Sequence, residues 1–560
     1  MKNFLRQNAW DANNGGQFID QKGNYTDLYW YAKGVQVMKS KPISDPTSWW
    51  FYAAIHGQYL VSTAGSGTIP VGFPNWEKIQ SIPQNADLSS PPSKKLIDLF
   101  WDQCQHGTWF FPPWHRGYLV ALENILRDII TQQCDGPDTW ALPYWNYLNQ
   151  SKVFAEDKIP PAFTLIELPD GSPNPLYVPE RYGPNGDRNV FVVIGPNTSE
   201  DPSANDECQW DKIFSEPTPP PAGPGNLNGY FYGGEETGFM HSNGGFGDLE
   251  SNPHNFVHVM VGGFNGEAWT DPNAQEGSEG LMADPGIAAL DPIFYLHHAN
   301  VDRMWAAWNV TGENANSQNP NWLAGPSAQG NSQFAMPLED DGTPWYYTPE
   351  DVQSTTDLKY YNGEMYSYSY DDLSLVSYDT TPPVSLQENL TERLSKLGVT
   401  GVAEKNLKIA TNMNNELIGA SKNSITLNSG STQETVKLDS TALKSVSKSF
   451  SKASANELPD EIYLQLENVK GTNNANFLSL YVNDIFVRSV ALFGIRMASQ
   501  KDSAHGGGLT FKFNITNIID SLHLEGNLDI NSLDVQIKTR NPIPEESGIT
   551  VGRISIYRAS

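Results

Sequence analysis

Histidine placement constrains this chain more than any other feature. Of its ten histidines, eight lie between His56 and His298, and seven of those fall in four short aromatic-rich motifs. The first motif is Trp49-Trp50-Phe51-Tyr52-Ala53-Ala54-Ile55-His56-Gly57. The second joins Cys104-Gln105-His106-Gly107 to Phe111-Pro112-Pro113-Trp114-His115-Arg116. The third is Pro253-His254-Asn255-Phe256-Val257-His258. The fourth runs Asp291-Pro292-Ile293-Phe294-Tyr295-Leu296-His297-His298-Ala299-Asn300-Val301-Asp302-Arg303.

A spacing of four sets His254 and His258 on one helical face, about one turn apart, where both imidazoles reach one metal ion. Pro253 suits the first turn of such a helix. Alone, the pair also fits two packed histidines or a zinc site, although residue 255 is Asn and the Glu of HExxH is missing. A second triad in similar surroundings changes the reading. Imidazole suits copper in both oxidation states, and two neighbouring coppers can each give one electron to O2. His56/His106/His115 and His254/His258/His298 divide into two such sets. In the adjacent pair, His298 is the expected ligand because Asp302 follows it by four residues, one helical turn further on. His297 then points about 100° away and serves as a supporting or packing group.

At 560 residues the chain is too long for one ordinary core. A net charge of −28 repels a phosphate backbone and excludes nucleic acid as the natural partner. No run approaches the roughly 20 apolar residues of a membrane span. The opening residues show no apolar core of a secretory signal, so a soluble, cytoplasmic chain is expected. Three cysteines, Cys104, Cys134 and Cys208, do not make a disulfide scaffold, though Cys134 and Cys208 can pair.

Helical patterns at Ser48–Leu60, His115–Gln133, Pro253–Val261 and Pro292–Trp308 alternate with long loops, the longest from about Pro169 to Gly247. After Thr380-Thr381-Pro382-Pro383 tryptophan disappears and β-type runs recur: Ser424–Leu427, Glu434–Leu438, Glu461–Leu466, Phe477–Val482, Leu509–Ile515, Ser532–Thr539 and Arg553–Tyr557. The expected organisation is a helical domain over 1–378, a linker over 379–404 containing a short helix from Leu386 to Leu397, and an all-β sandwich or barrel over 405–560.

The four histidine motifs resemble the two copper-binding regions of the type-3 copper family of tyrosinases, catechol oxidases and molluscan haemocyanins. The match covers roughly residues 45–310, with Asp291–Trp305 close to a signature. The resemblance implies a four-helix bundle core in which His56, His106 and His115 hold one copper and His254, His258 and His298 the other, with O2 as co-substrate. Cys104-x-His106 resembles the family's covalently joined cysteine and histidine. Glu250 and Asn255 match the glutamate and asparagine that hold a proton-accepting water, although both also stand where helix caps belong. Counting back from His298, Pro285 falls where plant relatives carry a bulky Phe, implying a more open mouth. Val259 offers no charge to a substrate carboxylate, so neutral or weakly charged phenols are expected.

The segments Glu461–Leu464, Leu480–Asn483, Phe493–Ile495 and Val551–Arg553 resemble the C-terminal domain of bacterial and plant polyphenol oxidases, which covers the active site. The loop Ala498–Gly508, containing His505, is the expected plug, and Thr380–Glu388 the expected cleavage site. The reading is a latent polyphenol oxidase converting small phenols and catechols to o-quinones. A haemocyanin-like O2 binder is the alternative, and a zinc hydrolase leaves most of the motif histidines unexplained.

Overall fold

The computed structural model describes residues 2–374 and 415–559, together with residues 393 and 395–397. Outside the described set within those ranges are 12–14, 58–78, 80, 90, 150–154, 196–200, 212–213, 215–231, 235–245, 266–278, 311–313, 327–332, 440–459, 500–506, 530 and 544–547. The linker segment Thr380–Glu388, His241 and His505 therefore lie outside the described residues, as do residues 500–506 of the expected plug loop.

Among the described residues, six α-helices of seven residues or more organise the first part: α1 Asp27–Ser40, α2 Trp49–His56, α3 Lys94–Phe100, α4 Phe111–Gln133, α5 Asn255–Gly262 and α6 Ile293–Val310. Helix α2 starts where the Ser48 hydroxyl accepts the Phe51 N–H, which satisfies one of the first-turn donors. Pro112 and Pro113 occupy the first turn of α4, where a missing N–H costs nothing, so this helix begins four residues before His115. Asp291 accepts the Ile293 N–H at the head of α6 and is held in turn by the Arg181 guanidinium. Gly263, at φ +63°, ends α5.

Helices α2, α4, α5 and α6 form the bundle around the histidines. Tyr52 and Tyr118 exchange hydroxyl-to-carbonyl hydrogen bonds between α2 and α4, and the Tyr118 hydroxyl meets that of Tyr295 on α6. A buried ion network braces the outer side of α4 and α6. Strand Asn3–Arg6 pairs in parallel with Met365–Tyr370, which carries Arg6 to Glu123 (2.7 Å) and Asp302 (3.2 Å).

The C-terminal part is a two-sheet sandwich. One antiparallel sheet orders Ile485–Ala491, Phe477–Val482, Ser532–Thr539 and Ser431–Lys437. The other orders Leu509–Asn514, Glu461–Lys470, Thr550–Ala559 and Asn415–Ala420, with Ile425–Thr426 also paired to Thr550–Ala559. Leu464, Leu466, Ile554 and Ile556 from one sheet share a core with Leu478, Leu480, Val535 and Ile537 from the other. Two short helices, Ile495–Ala498 and Thr516–Leu524, interrupt the expected all-β pattern. Phe477, Ala491 and Phe493 pack instead with the core of the helical domain.

Candidate metal centre

The six expected histidines converge. Ring centroids within His56, His106 and His115 are 5.3–5.6 Å apart, and those within His254, His258 and His298 are 4.5–5.6 Å apart. The triads adjoin, with His115 stacked on His298 at 4.3 Å and 8°. All six rings are buried.

Backbone carbonyls set the tautomers. His56 Nδ1 lies 3.0 Å from the Pro285 carbonyl, His115 Nδ1 2.8 Å from that of Phe111, and His258 Nδ1 2.7 Å from that of Met282. A carbonyl only accepts, so each Nδ1 carries the proton and each Nε2 keeps its lone pair for a metal. The Asn255 side-chain oxygen, 2.8 Å from His254 Nδ1, does the same for that ring. Asn255 thus orients a histidine, and neither it nor Glu250 caps α5. Burial pushes the His115, His258 and His298 rings well below their usual pKa, and His254 to about 3. Neutral imidazoles result, as metal binding requires.

Two donor sets fit a metal each. The ligating atoms of His56, Cys104, His106 and His115 lie within 4.8 Å of one another, as do those of His254, His258, His297 and His298. His258 Nε2 and His298 Nε2 face each other at 3.4 Å. Two imidazole nitrogens on one tetrahedral ion, each about 2.0 Å from it, stand about 3.3 Å apart. The buried His254 Nε2 has no hydrogen-bond partner, which is costly unless a metal takes the lone pair. His297 is also buried, with neither ring nitrogen hydrogen-bonded, its ring 5.2 Å from His254 and 5.5 Å from Tyr147.

Around the triads, Cys104 Sγ is 3.4 Å from Nδ1 and 3.9 Å from Nε2 of His106, facing the ring edge between them, and 3.3 Å from His115 Nε2. Burial pushes its thiol well up. Cys134 and Cys208 are free thiols and do not pair. Both Glu250 carboxylate oxygens accept the Gly107 N–H, at 3.0 and 2.9 Å, which ties Glu250 to the residue after His106. Burial raises the Glu250 carboxyl well above its usual range.

Three expectations change. Asp302 does not reach His298: its carboxylate accepts from Arg116 (2.6 Å), Arg6, Tyr368 and Tyr370. Two buried guanidiniums need that charge, and His298 Nδ1 is left without a partner. Pro285 does not leave an open mouth; it is buried and its carbonyl holds His56. Val259 is buried on α5, as its apolar character suits.

What fills the mouth is Phe493, from the C-terminal sandwich. Its ring stacks on His258 at 4.1 Å and 23°, with edge contacts to His254 at 5.6 Å and His106 at 5.8 Å. The adjacent Gly494, a turn signal after an apolar residue, was the available clue. Glu279, Asn474 and Arg496, which join the two parts of the chain, carried no local signal.

Comparison with known proteins agrees with this geometry. The family described as the common central domain of tyrosinase matches residues 46–311, and a domain of unknown function matches 414–559. A tyrosinase of Hahella sp. (strain CCB-MM4) is 29% identical over 552 residues, covering 95% of this chain and 96% of that protein. The chloroplastic polyphenol oxidase of Spinacia oleracea is 28% identical over 294 residues, spanning 51% of this chain and 38% of that enzyme. In fold, the chain is similar to latent apple tyrosinase, with a TM-score of 0.53 at 20% identity, covering 100% of this chain and 98% of that one. Among the described residues no helix is long and apolar enough to cross a membrane. The two histidine sets fit a dinuclear copper centre and residues 46–311 match the central domain of tyrosinase, so the chain is an oxidoreductase of the tyrosinase and polyphenol oxidase kind.

Proposed function

We propose that this chain is a latent polyphenol oxidase that uses O2 to convert o-diphenols to o-quinones and also hydroxylates monophenols. In this reading residues 1–378 form the catalytic domain, 379–404 the linker, and 405–560 the shield. His56, His106 and His115 hold one copper and His254, His258 and His298 the other. The facing Nε2 atoms of His258 and His298 favour His298 over His297 as the ligand. The bound coppers supply two one-electron changes, which match the two electrons lost by a catechol. The protein residues hold the rings in one tautomer, exclude water and handle the phenolic proton.

In this scheme Glu250, with Asn255, holds the water that accepts the phenolic proton. Its carboxylate is fixed beside His106 by the Gly107 N–H. Asn255 acts on the same side by fixing His254. In this scheme Cys104 and His106 join in a thioether, in which a C–S bond replaces one S–H and one ring C–H and O2 takes both electrons and both protons. That bond would hold the His106 ring in place and remove a thiol that otherwise competes for copper.

The observation that carries latency is the Phe493 ring stacked on His258 where a phenol ring would lie. Quinone formation by copper-loaded protein, intact and nicked between residues 379 and 404, with 4-methylphenol and 4-methylcatechol offered separately, tests the proposal. Oxidation of both after nicking supports it, and oxidation of catechol alone limits the chain to diphenols. An absence of turnover by nicked, O2-binding protein makes it an oxygen carrier.

A further inference from the structure

Phe493 does not enter the mouth alone. Leu492 to Ile495 form a tight turn closed by the Ile495 N–H donating to the Leu492 carbonyl at 3.0 Å. Gly494 holds φ +84° and ψ 0°, the third-residue geometry of a type II turn, which suits glycine. Phe493 is therefore presented at a fixed corner, and Arg496 follows on the short helix Ile495–Ala498. One Arg496 nitrogen is 3.1 Å from Asp284 and another 3.1 Å from Glu279. Asn474 adds to this grip: its N–H donates to Glu279 at 2.7 Å, and its side-chain amide to Glu279 at 3.0 Å and Asp284 at 2.9 Å. The Ala475 N–H also donates to Glu279 at 3.3 Å.

Both carboxylates are buried in the covered state, Glu279 at 8% and Asp284 at 0% exposure. Asp284 directly precedes Pro285, whose carbonyl holds His56, so the acidic pair belongs to the wall of the copper mouth. A built cation site thus sits beside the aromatic site, and one turn of the shield fills both.

We propose that the Phe493–Arg496 turn is a pseudo-substrate, its ring standing in for the phenol and its guanidinium for a cationic tail, so that Glu279 and Asp284 select phenols bearing a protonated amine. This inference rests on the oxidase reading above. When the shield moves away, Arg496 leaves with it, and a substrate ammonium takes over the two carboxylates. A phenol with a carboxylate tail meets repulsion at the same place. Val259 contributes no charge to this choice; the selectivity comes from the neighbouring segment.

The test uses the copper-loaded full chain carrying Phe493→Ala and Arg496→Ala, which removes the ring and the guanidinium. Values of kcat/KM are compared for dopamine, 4-methylcatechol and 3-(3,4-dihydroxyphenyl)propionate. Dopamine is expected to exceed the propionate by about tenfold after correction for their intrinsic reactivity, with the ratio falling as salt rises. Adding Glu279→Gln and Asp284→Asn brings the ratio to within about twofold. If that variant does not fold, Glu279→Gln alone lowers the ratio by about threefold. Turnover of 4-methylcatechol with no preference between the charged catechols overturns the pseudo-substrate and leaves the oxidase reading standing. If no catechol is oxidised, the oxidase reading fails. The cation site is then judged by calorimetric binding of tyramine against 3-(4-hydroxyphenyl)propionate, where equal affinities overturn it.

Discussion

Replacing Phe493 by Ala in the full chain tests whether this one ring closes the centre. The side chain is 3% exposed, and its ring contacts are with His258, His254 and His106. Truncating a buried Phe to Ala costs about 3–5 kcal/mol. Those contacts join the shield to the helical domain, so they exist only while the mouth is covered, and their loss falls on the covered state. At about 1.4 kcal/mol per factor of ten, the lower figure of about 3 kcal/mol moves the covered-to-uncovered ratio by roughly 150-fold. When the uncovered form is the minor one, apparent kcat/KM rises with its population, up to the limit of a fully open site. The clamp of Asn474 and Arg496 on Glu279 and Asp284 is untouched and still favours the covered state. The assay is the initial rate of 4-methylcatechol oxidation below saturation, with copper content measured on the same samples. Phe493→Leu, which keeps much of the bulk, should fall between wild type and Phe493→Ala. A folded, fully coppered Phe493→Ala protein within about twofold of wild type would refute the reasoning.

Three further outcomes are expected. Glu250→Gln should lower kcat/KM for 4-methylphenol by about 100-fold while changing 4-methylcatechol far less, because only hydroxylation needs the extra proton acceptor; equal losses for both would remove that role. Asp302→Asn should destabilise copper-free protein by about 3–5 kcal/mol in chemical unfolding, since Arg116 and Arg6 lose their shared carboxylate. Burial alone would raise the Asp302 carboxyl, and the two arginines more than reverse this, so its pKa is lowered. A lowered carboxyl contributes in full above its unfolded value of about 3.9 and loses that contribution as pH falls through the folded value, so wild type and variant should converge only in that acid range. Removing copper with a chelator should lower the apparent unfolding midpoint of the helical domain, and added copper should restore it, by about 4 kcal/mol at a thousandfold excess over Kd. An unchanged midpoint would mean that the histidines are not a folded metal site.

The convergence of the six histidines was legible because metal chemistry admits few donor types and helical spacing places them. Their orientation was not, since Met282, Pro285 and Phe111 act through carbonyls that every residue possesses. For Asp302 the spacing was right and the partner wrong: Arg6 arrives on a strand paired in parallel with Met365–Tyr370, a long-range contact that no local pattern announces. Strands Asn415–Ala420 and Ile485–Ala491 escaped notice because Glu416, Gly419, Arg488 and Ser489 interrupt their apolar pattern. Most of the expected plug loop lies outside the described residues, and Phe493 sits on a tight turn closed by one hydrogen bond. A ring stacked at 4.1 Å on one imidazole depends on fixed geometry more than on reach.

Cover and centre meet in the segment from Glu279 to Gly286. Its carboxylates are gripped by Asn474 and Arg496, and its Met282 and Pro285 carbonyls hold His258 and His56. A cover that also anchored these carbonyls would disturb the histidines on leaving. The anchoring lies elsewhere. The Leu281 N–H donates to the Glu180 carbonyl at 3.1 Å and the Gly280 N–H to the Gly263 carbonyl at 3.1 Å, both within the helical domain. Gly262 on α5 lets the segment approach so closely that an added Cβ would stand 2.3 Å from the Ala283 nitrogen. Packing against α5 therefore fixes the carbonyls independently of the shield. In the proposed activation, departure of the shield would change the access and the charge at the mouth, while the imidazoles would keep the orientation that copper requires.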